Sequence, residues 1–111
     1  MGKTFSEMEE MYAGIVKRFN KIESNDWKAG GVMIELSKQV GELAKQVMIK
    51  EKYYDRALTK NVTDVDEHLG NEMADVIAQI MRLASYYNID LEKAFIKARQ
   101  DEDRYLRSRG V

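Results

Sequence analysis

The 111-residue chain contains no cysteine and no proline. The first absence excludes disulfides, thiolate metal sites and a cysteine nucleophile. The second removes the residue that most sharply breaks helices, and most of the seven glycines lie near boundaries. Charge of one sign is lacking too. A formal net charge of −1 gives no broad basic footprint for polymeric nucleic acid. No stretch approaches the ~20 apolar residues needed to span a membrane. The polar, acidic start (Ser6, Glu7, Glu9, Glu10) has no signal-peptide apolar segment. The expectation is a cytoplasmic protein with neither membrane nor polymeric nucleic acid as partner. The single histidine, His68, has Val65 three residues before it, so a di-iron carboxylate bundle built on two Glu-x-x-His motifs is excluded.

Hydrophobic residues make up 44% of the chain, enough for the core of one domain spanning residues 1–111. Seven methionines suit helix cores, where a flexible thioether fills irregular gaps. Apolar residues recur at helical spacing in four segments. Ser6 and Glu9 suggest a capping box, followed by Met8, Met11, Tyr12, Ile15, Phe19 and Ile22. After a Gly30-Gly31 joint, a second helix is expected from Gly31 to Lys52, with Val32, Leu36, Val40, Leu43, Val47 and Ile49 on its apolar side. Tyr53 to Val62 reads as a loop or an irregular helix end. A third helix starts at Thr63 or Asp64 and stops near Asn88, with a broad apolar face from Val65 to Ala84. Asp90 caps a fourth, to about Arg107, with Leu91, Ala94, Phe95, Ala98 and Tyr105 inward. The fold class expected is all-α, a four-helix bundle. The third helix is apolar over more surface than one small chain covers, which points to a homo-oligomer, a dimer or tetramer.

Two carboxylate patterns stand out. Glu35, Gln39 and Glu42 share one face of the second helix, within about 60°. Glu72 and Asp75, with His68 and Gln79, form a similar stripe on the third. Acids at the edge of a core-forming face are costly to bury alone. A hard cation resolves that conflict, and magnesium accepts a few carboxylates together with water. A solvated helix surface is the competing reading of the same spacing.

Gly41-Glu42-Leu43, the run Glu72-Met73-Ala74-Asp75-Val76-Ile77 and the run Tyr87-Asn88-Ile89-Asp90-Leu91-Glu92-Lys93-Ala94 together resemble the MazG-type all-α nucleoside triphosphate pyrophosphohydrolases. The likeness covers roughly residues 27–105. It implies magnesium (with manganese as a substitute) held by acid pairs on two helices, and a nucleoside triphosphate cleaved to monophosphate and pyrophosphate. Glu42, Glu72 and Asp75 fall on the implied ligand positions and would act through a metal-activated water. Gln39 stands where that family has glutamate, and Lys38 where many members have another. Asp101 replaces an asparagine near the nucleotide. Glu35, one turn before Gln39, is a substitute ligand on the same stripe. Without catalysis, the same resemblance implies a nucleotide-binding or regulatory module; without any ligand, the chain is a helical interaction protein.

Lys93, Lys97 and Arg104 align on the fourth helix within about 40°. They are candidates for triphosphate contacts, and Lys97 with Asp101 four residues on is equally an ordinary helix ion pair. Tyr105 resembles the family's Arg-Tyr ending. Trp27 is the only tryptophan. It is read either as a stacking surface for a nucleobase or as an apolar plug over the bundle end.

Overall fold

A computed structural model describes residues 2–111. It contains five helices: α1 (Phe5–Asn20), α2 (Ala29–Lys50), α3 (Arg56–Thr59), α4 (Val65–Tyr86) and α5 (Leu91–Ser108). No strand occurs among the described residues, so the all-α class holds. No helix among them is long and apolar enough to cross a membrane.

The start of α1 lies two residues earlier than the sequence pattern suggests. The capping box is Thr4 with Glu7, not Ser6 with Glu9: the Glu7 amide donates to Thr4 Oγ1 at 3.2 Å and the Thr4 amide donates to Glu7 Oε1 at 3.0 Å. Both pairs satisfy the same spacing rule, and Thr4 wins because Phe5 is already helical. Ser6 is left free to donate to Glu92 Oε2 at 3.1 Å. The helix α2 begins at Ala29, so Gly30 and Gly31 lie inside its first turn rather than forming a joint. A Cβ on Gly31 would meet Trp27 Cε3 at 3.6 Å, which shows how closely the indole folds over the helix start. The expected loop after α2 contains the single turn α3, capped by Asp55 Oδ1 accepting from the Ala57 amide at 2.8 Å. Asp64 does precede α4, but in a left-handed conformation (φ 55°) and with no side-chain cap bond. Asn88 (φ 55°) ends the turn after α4, and Asp90 Oδ1 caps α5 by accepting from the Lys93 amide at 3.0 Å.

The core is the packing of α2 against α4. The two helices run antiparallel. The end of α2 meets the start of α4 through the Lys50–Asp66 ion pair. At the other end Arg82, late in α4, lies 4.8 Å over the ring of Trp27, just before α2. The first helix crosses the C-terminal half of α4, where Gln79 Nε2 donates to Tyr12 Oη at 3.2 Å. Val32, Met81 and Ala84 are the buried apolar residues.

The expected four-helix bundle is not closed within one chain. Leu91 and Glu92 are half-buried, but every residue from Lys93 onward is exposed, including Ala94, Phe95, Ala98 and Tyr105, which the pattern places inward. The amphipathic stripe of α5 is real, yet nothing in the same chain covers it. Met8, Met11, Phe19 and Ile22 of α1 are exposed as well. The radius of gyration, 17.8 Å, exceeds the roughly 13 Å of a compact chain this long.

The Thr4 contacts hold the Glu7 carboxyl below its ordinary range, chiefly through the bond from the Thr4 amide and then that from its hydroxyl. The cap is therefore fully present above that range and is lost as pH falls through the depressed value. Replacing Thr4 with alanine should raise the Glu7 titration midpoint and speed amide exchange in the first turn of α1, both measured by NMR; an unchanged midpoint contradicts the cap.

Candidate functional site

The packing of α2 on α4 has an unusual composition. On α2 the half-buried residues include Glu35, Gln39, Glu42 and Gln46 alongside Leu36 and Leu43. On α4 they include Glu72 beside Leu69 and Val76, with Gln79 buried. The helix period carries both sets to the facing sides of the pair. The Lys50–Asp66 and Trp27–Arg82 contacts fix the antiparallel register. That register sets Glu42 level with Glu72 and Gln39 near the level of Asp75. A seam of carboxylates and amides thus runs through the centre of the core.

Three oxygens along this seam have no partner. Gln46 Oε1, Glu72 Oε2 and Gln79 Oε1 are buried and accept no hydrogen bond. Each such vacancy costs about 1–3 kcal/mol, and more for a charged oxygen. The donor set is all oxygen, which suits magnesium or manganese rather than a soft metal. Asp75 is exposed at the edge of the seam, and Glu42 is half-buried. Among the described residues, however, no three Asp, Glu or His side chains already sit close enough together to hold an ion. Glu42, Glu72 and Asp75 share the seam without converging in this conformation.

Beside the seam, Gln39 and Lys38 both engage a neighbouring acid. Gln39 Nε2 donates to Glu35 Oε1 at 3.0 Å, and Lys38 Nζ lies 3.5 Å from the same oxygen. Glu35 is thus engaged within its own helix by Gln39 and Lys38. His68, the single histidine, is exposed in the first turns of α4.

The basic candidates lie elsewhere. On α5, Lys97 Nζ is 3.1 Å from Asp101 Oδ2 and Arg104 Nη1 is 3.2 Å from Asp101 Oδ1. Both cations share one carboxylate. The Lys97 hydrogen bond and charge, with Arg104 adding less, hold the Asp101 carboxyl below its ordinary range. All three side chains are at least half exposed, and none touches the seam. Lys93 and Tyr105 are exposed on the same helix.

Trp27 closes the far end of the core. Arg82 covers its ring, reaches Asn20 Oδ1 at 3.5 Å and lies 3.8 Å from Glu23 Oε1. Trp27, Arg82 and Asn20 line an open cavity of about 700 Å³ between α1, the start of α2 and the end of α4, together with Tyr12 and Tyr86. Sequence reasoning missed Arg82, Tyr12 and Glu23. A lone arginine late in an apolar helix was the available signal for the first, and its meaning depends on a tertiary contact that spacing cannot show. A second cavity, of about 880 Å³, lies around α3. Glu42, Glu72 and Asp75 line neither of these two.

Replacing Arg82 with alanine removes the cation over Trp27 and leaves the half-buried Glu23 carboxylate alone. It should destabilise the fold by about 1–2 kcal/mol, measured by urea unfolding followed through Trp27 fluorescence; a change under about 0.3 kcal/mol contradicts the role assigned to this stack. Comparison with protein families, with curated proteins and with solved structures finds no match to this chain.

Proposed function

We propose that the protein is a magnesium-dependent nucleoside triphosphate pyrophosphohydrolase of MazG-like type, acting in the cytoplasm on the nucleotide pool. One observation carries this reading: a buried, unpartnered Glu72 oxygen in an all-oxygen seam with Glu42. A core that leaves a carboxylate oxygen without a donor is suited to a cation. Glu42, Glu72 and Asp75 are the residues that would hold it, with the Gln39 carbonyl as a neutral fourth donor. A bound magnesium ion supplies neutralisation of phosphate oxygens and a more acidic water.

The rest of the reading concerns the chain's own residues. Asp75 and Arg82 lie seven positions apart on nearly the same side of α4, a separation of about 10 Å along the axis. A base resting in the Trp27 cavity would therefore place its phosphates toward the seam. Trp27 offers a stacking face, and Arg82 orients it. Lys97 and Arg104 are donors for the charge that develops on departing pyrophosphate; reaching it requires α5 to come near a seam it does not touch within one chain.

A second reading is a MazG-like nucleotide-binding module without turnover. The Gln39–Glu35 hydrogen bond favours it, because it ties up the acid nearest the substituted position. One assay separates the two. Each nucleoside triphosphate is incubated with the protein and magnesium, and monophosphate plus pyrophosphate are measured. Hydrolysis that drops at least 100-fold in Glu72→Gln supports the enzyme. Absence of product with every nucleotide contradicts it, and a nucleotide-dependent rise in melting temperature would then support the module. Replacing Gln39 with glutamate restores a charge at the seam and should tighten magnesium binding roughly tenfold by calorimetry; equal affinity contradicts a place for residue 39 beside the ion.

A further inference from the structure

Arg82 is a nearly buried cation with few partners. Its side chain is 11% exposed. A guanidinium carries five N–H donors, and this one uses a single bond, from Nη2 to Asn20 Oδ1 at 3.5 Å. Glu23 Oε1 lies 3.8 Å away, beyond hydrogen-bond distance, and has no partner of its own. The Trp27 ring offsets the positive charge but offers no oxygen or nitrogen acceptor for the remaining N–H groups. Donors withheld from water in this way are costly unless something accepts from them. Arg82 also lines the open cavity of about 700 Å³, with Trp27, Tyr12 and Tyr86 among its walls.

The surroundings select the acceptor. Glu9, Glu10 and Asp90 line the same cavity, with Lys17 as the one lining cation besides Arg82. Three carboxylates against two cations disfavour a phosphate or a carboxylate here. The group facing Arg82 is therefore neutral, flat enough for aromatic walls, and rich in acceptors. A guanidinium forks toward two acceptors side by side. Guanine presents them as O6 and N7, and hypoxanthine and xanthine share that edge. Adenine has an amino donor beside N7, which would set donor against donor. Uracil separates its two oxygens by an N–H group. Cytosine pairs N3 with O2, but that oxygen sits beside the sugar bond, where the fork would compete with the ribose.

We propose that Arg82 makes this cavity selective for 6-oxopurine bases, donating to O6 and N7 as a bidentate pair while Trp27 holds the guanidinium in place. The inference rests on the proposed seating of a nucleotide base in the Trp27 cavity, and adds which base is taken and which residue chooses it. A bidentate pair of this kind discriminates against the wrong base by roughly 5- to 150-fold. Neither the cation in the seam nor turnover is needed for that choice, because Arg82 acts on the base and not on the phosphates.

Neutral nucleosides test this without metal and without hydrolysis. Inosine is a soluble 6-oxopurine; adenosine, cytidine and uridine are the comparisons, each titrated against the fluorescence of Trp27, the only tryptophan. Inosine should bind at least ten times more tightly than any of the other three. Arg82→Gln should lower the preference for inosine over adenosine at least tenfold, because a glutamine amide pairs with adenine N6 and N7. Should that variant fail to fold, Arg82→Lys decides. It keeps a cation over Trp27 but lacks the fork, so the same preference should fall at least fivefold while the melting temperature stays near that of the wild type. Absence of inosine binding at millimolar concentration, equal binding of the four nucleosides, tighter binding of any of the other three, or an unchanged preference in Arg82→Lys overturns the proposal. The proposed activity is read separately, in triphosphate hydrolysis with magnesium. Selective inosine binding with no hydrolysis of any triphosphate upholds the base selectivity and contradicts the enzyme. Hydrolysis of GTP and ATP at equal rates, with no preference for inosine, does the reverse.

Discussion

Everything in this chain is arranged about the contact between α2 and α4, and that contact is only partly hydrophobic. Leu36, Leu43, Leu69 and Val76 supply apolar burial, while Gln39, Glu42, Gln46, Glu72 and Gln79 put amides and carboxylates into the same seam. Apolar contact alone would bring the helices together more cheaply. An orphaned Glu72 oxygen opposes folding by an amount comparable to a good hydrogen bond. Such a seam persists where something offsets the cost, and the proposed cation between the helices would do so by turning a desolvation penalty into an attraction. The same feature that weakens the core would, on the proposed reading, give it a chemical use.

The rest of the fold follows from holding this pair in register. The Lys50–Asp66 pair marks one end and the Trp27–Arg82 stack the other. Between them the period of the helix divides the hairpin into two sides. One carries acids, the other Met33, Val40, Val47, Met73, Ile77 and Ile80. The open cavity near Trp27 lies beyond the seam at the end closed by α1. On the proposed reading, a nucleotide base would lie in that cavity and its phosphates would meet the acidic seam only through a bound cation.

Much of this was legible in the residues. The four long helices follow from apolar spacing, and the α5 start follows from Asp90. The acidic stripes were visible because Glu35, Gln39 and Glu42, like Glu72 and Asp75, repeat with the helix period. The α1 cap was misplaced because Ser6–Glu9 and Thr4–Glu7 obey the same local rule, and only the backbone decides between them. The inward face of α5 was misread for a different reason. Spacing shows that a helix has an apolar side, but not which molecule covers it. Nor does spacing reveal that Gln39 donates to Glu35, or that Arg82 covers Trp27, since both depend on side-chain choices among several reachable partners. Most of the candidate site was therefore legible as composition and periodicity, while its degree of assembly was not.

The central claim is that a divalent cation belongs in the seam between α2 and α4. Manganese, which substitutes for magnesium at oxygen sites and broadens nearby NMR signals, tests it directly. Titrating the ion into isotopically labelled protein should broaden amide resonances first around residues 39–42 and 72–75, with loss of the effect in Glu72→Gln. Broadening centred instead on the exposed acids at 101–103 of α5, or an equal response in the Glu72→Gln protein, would contradict the account.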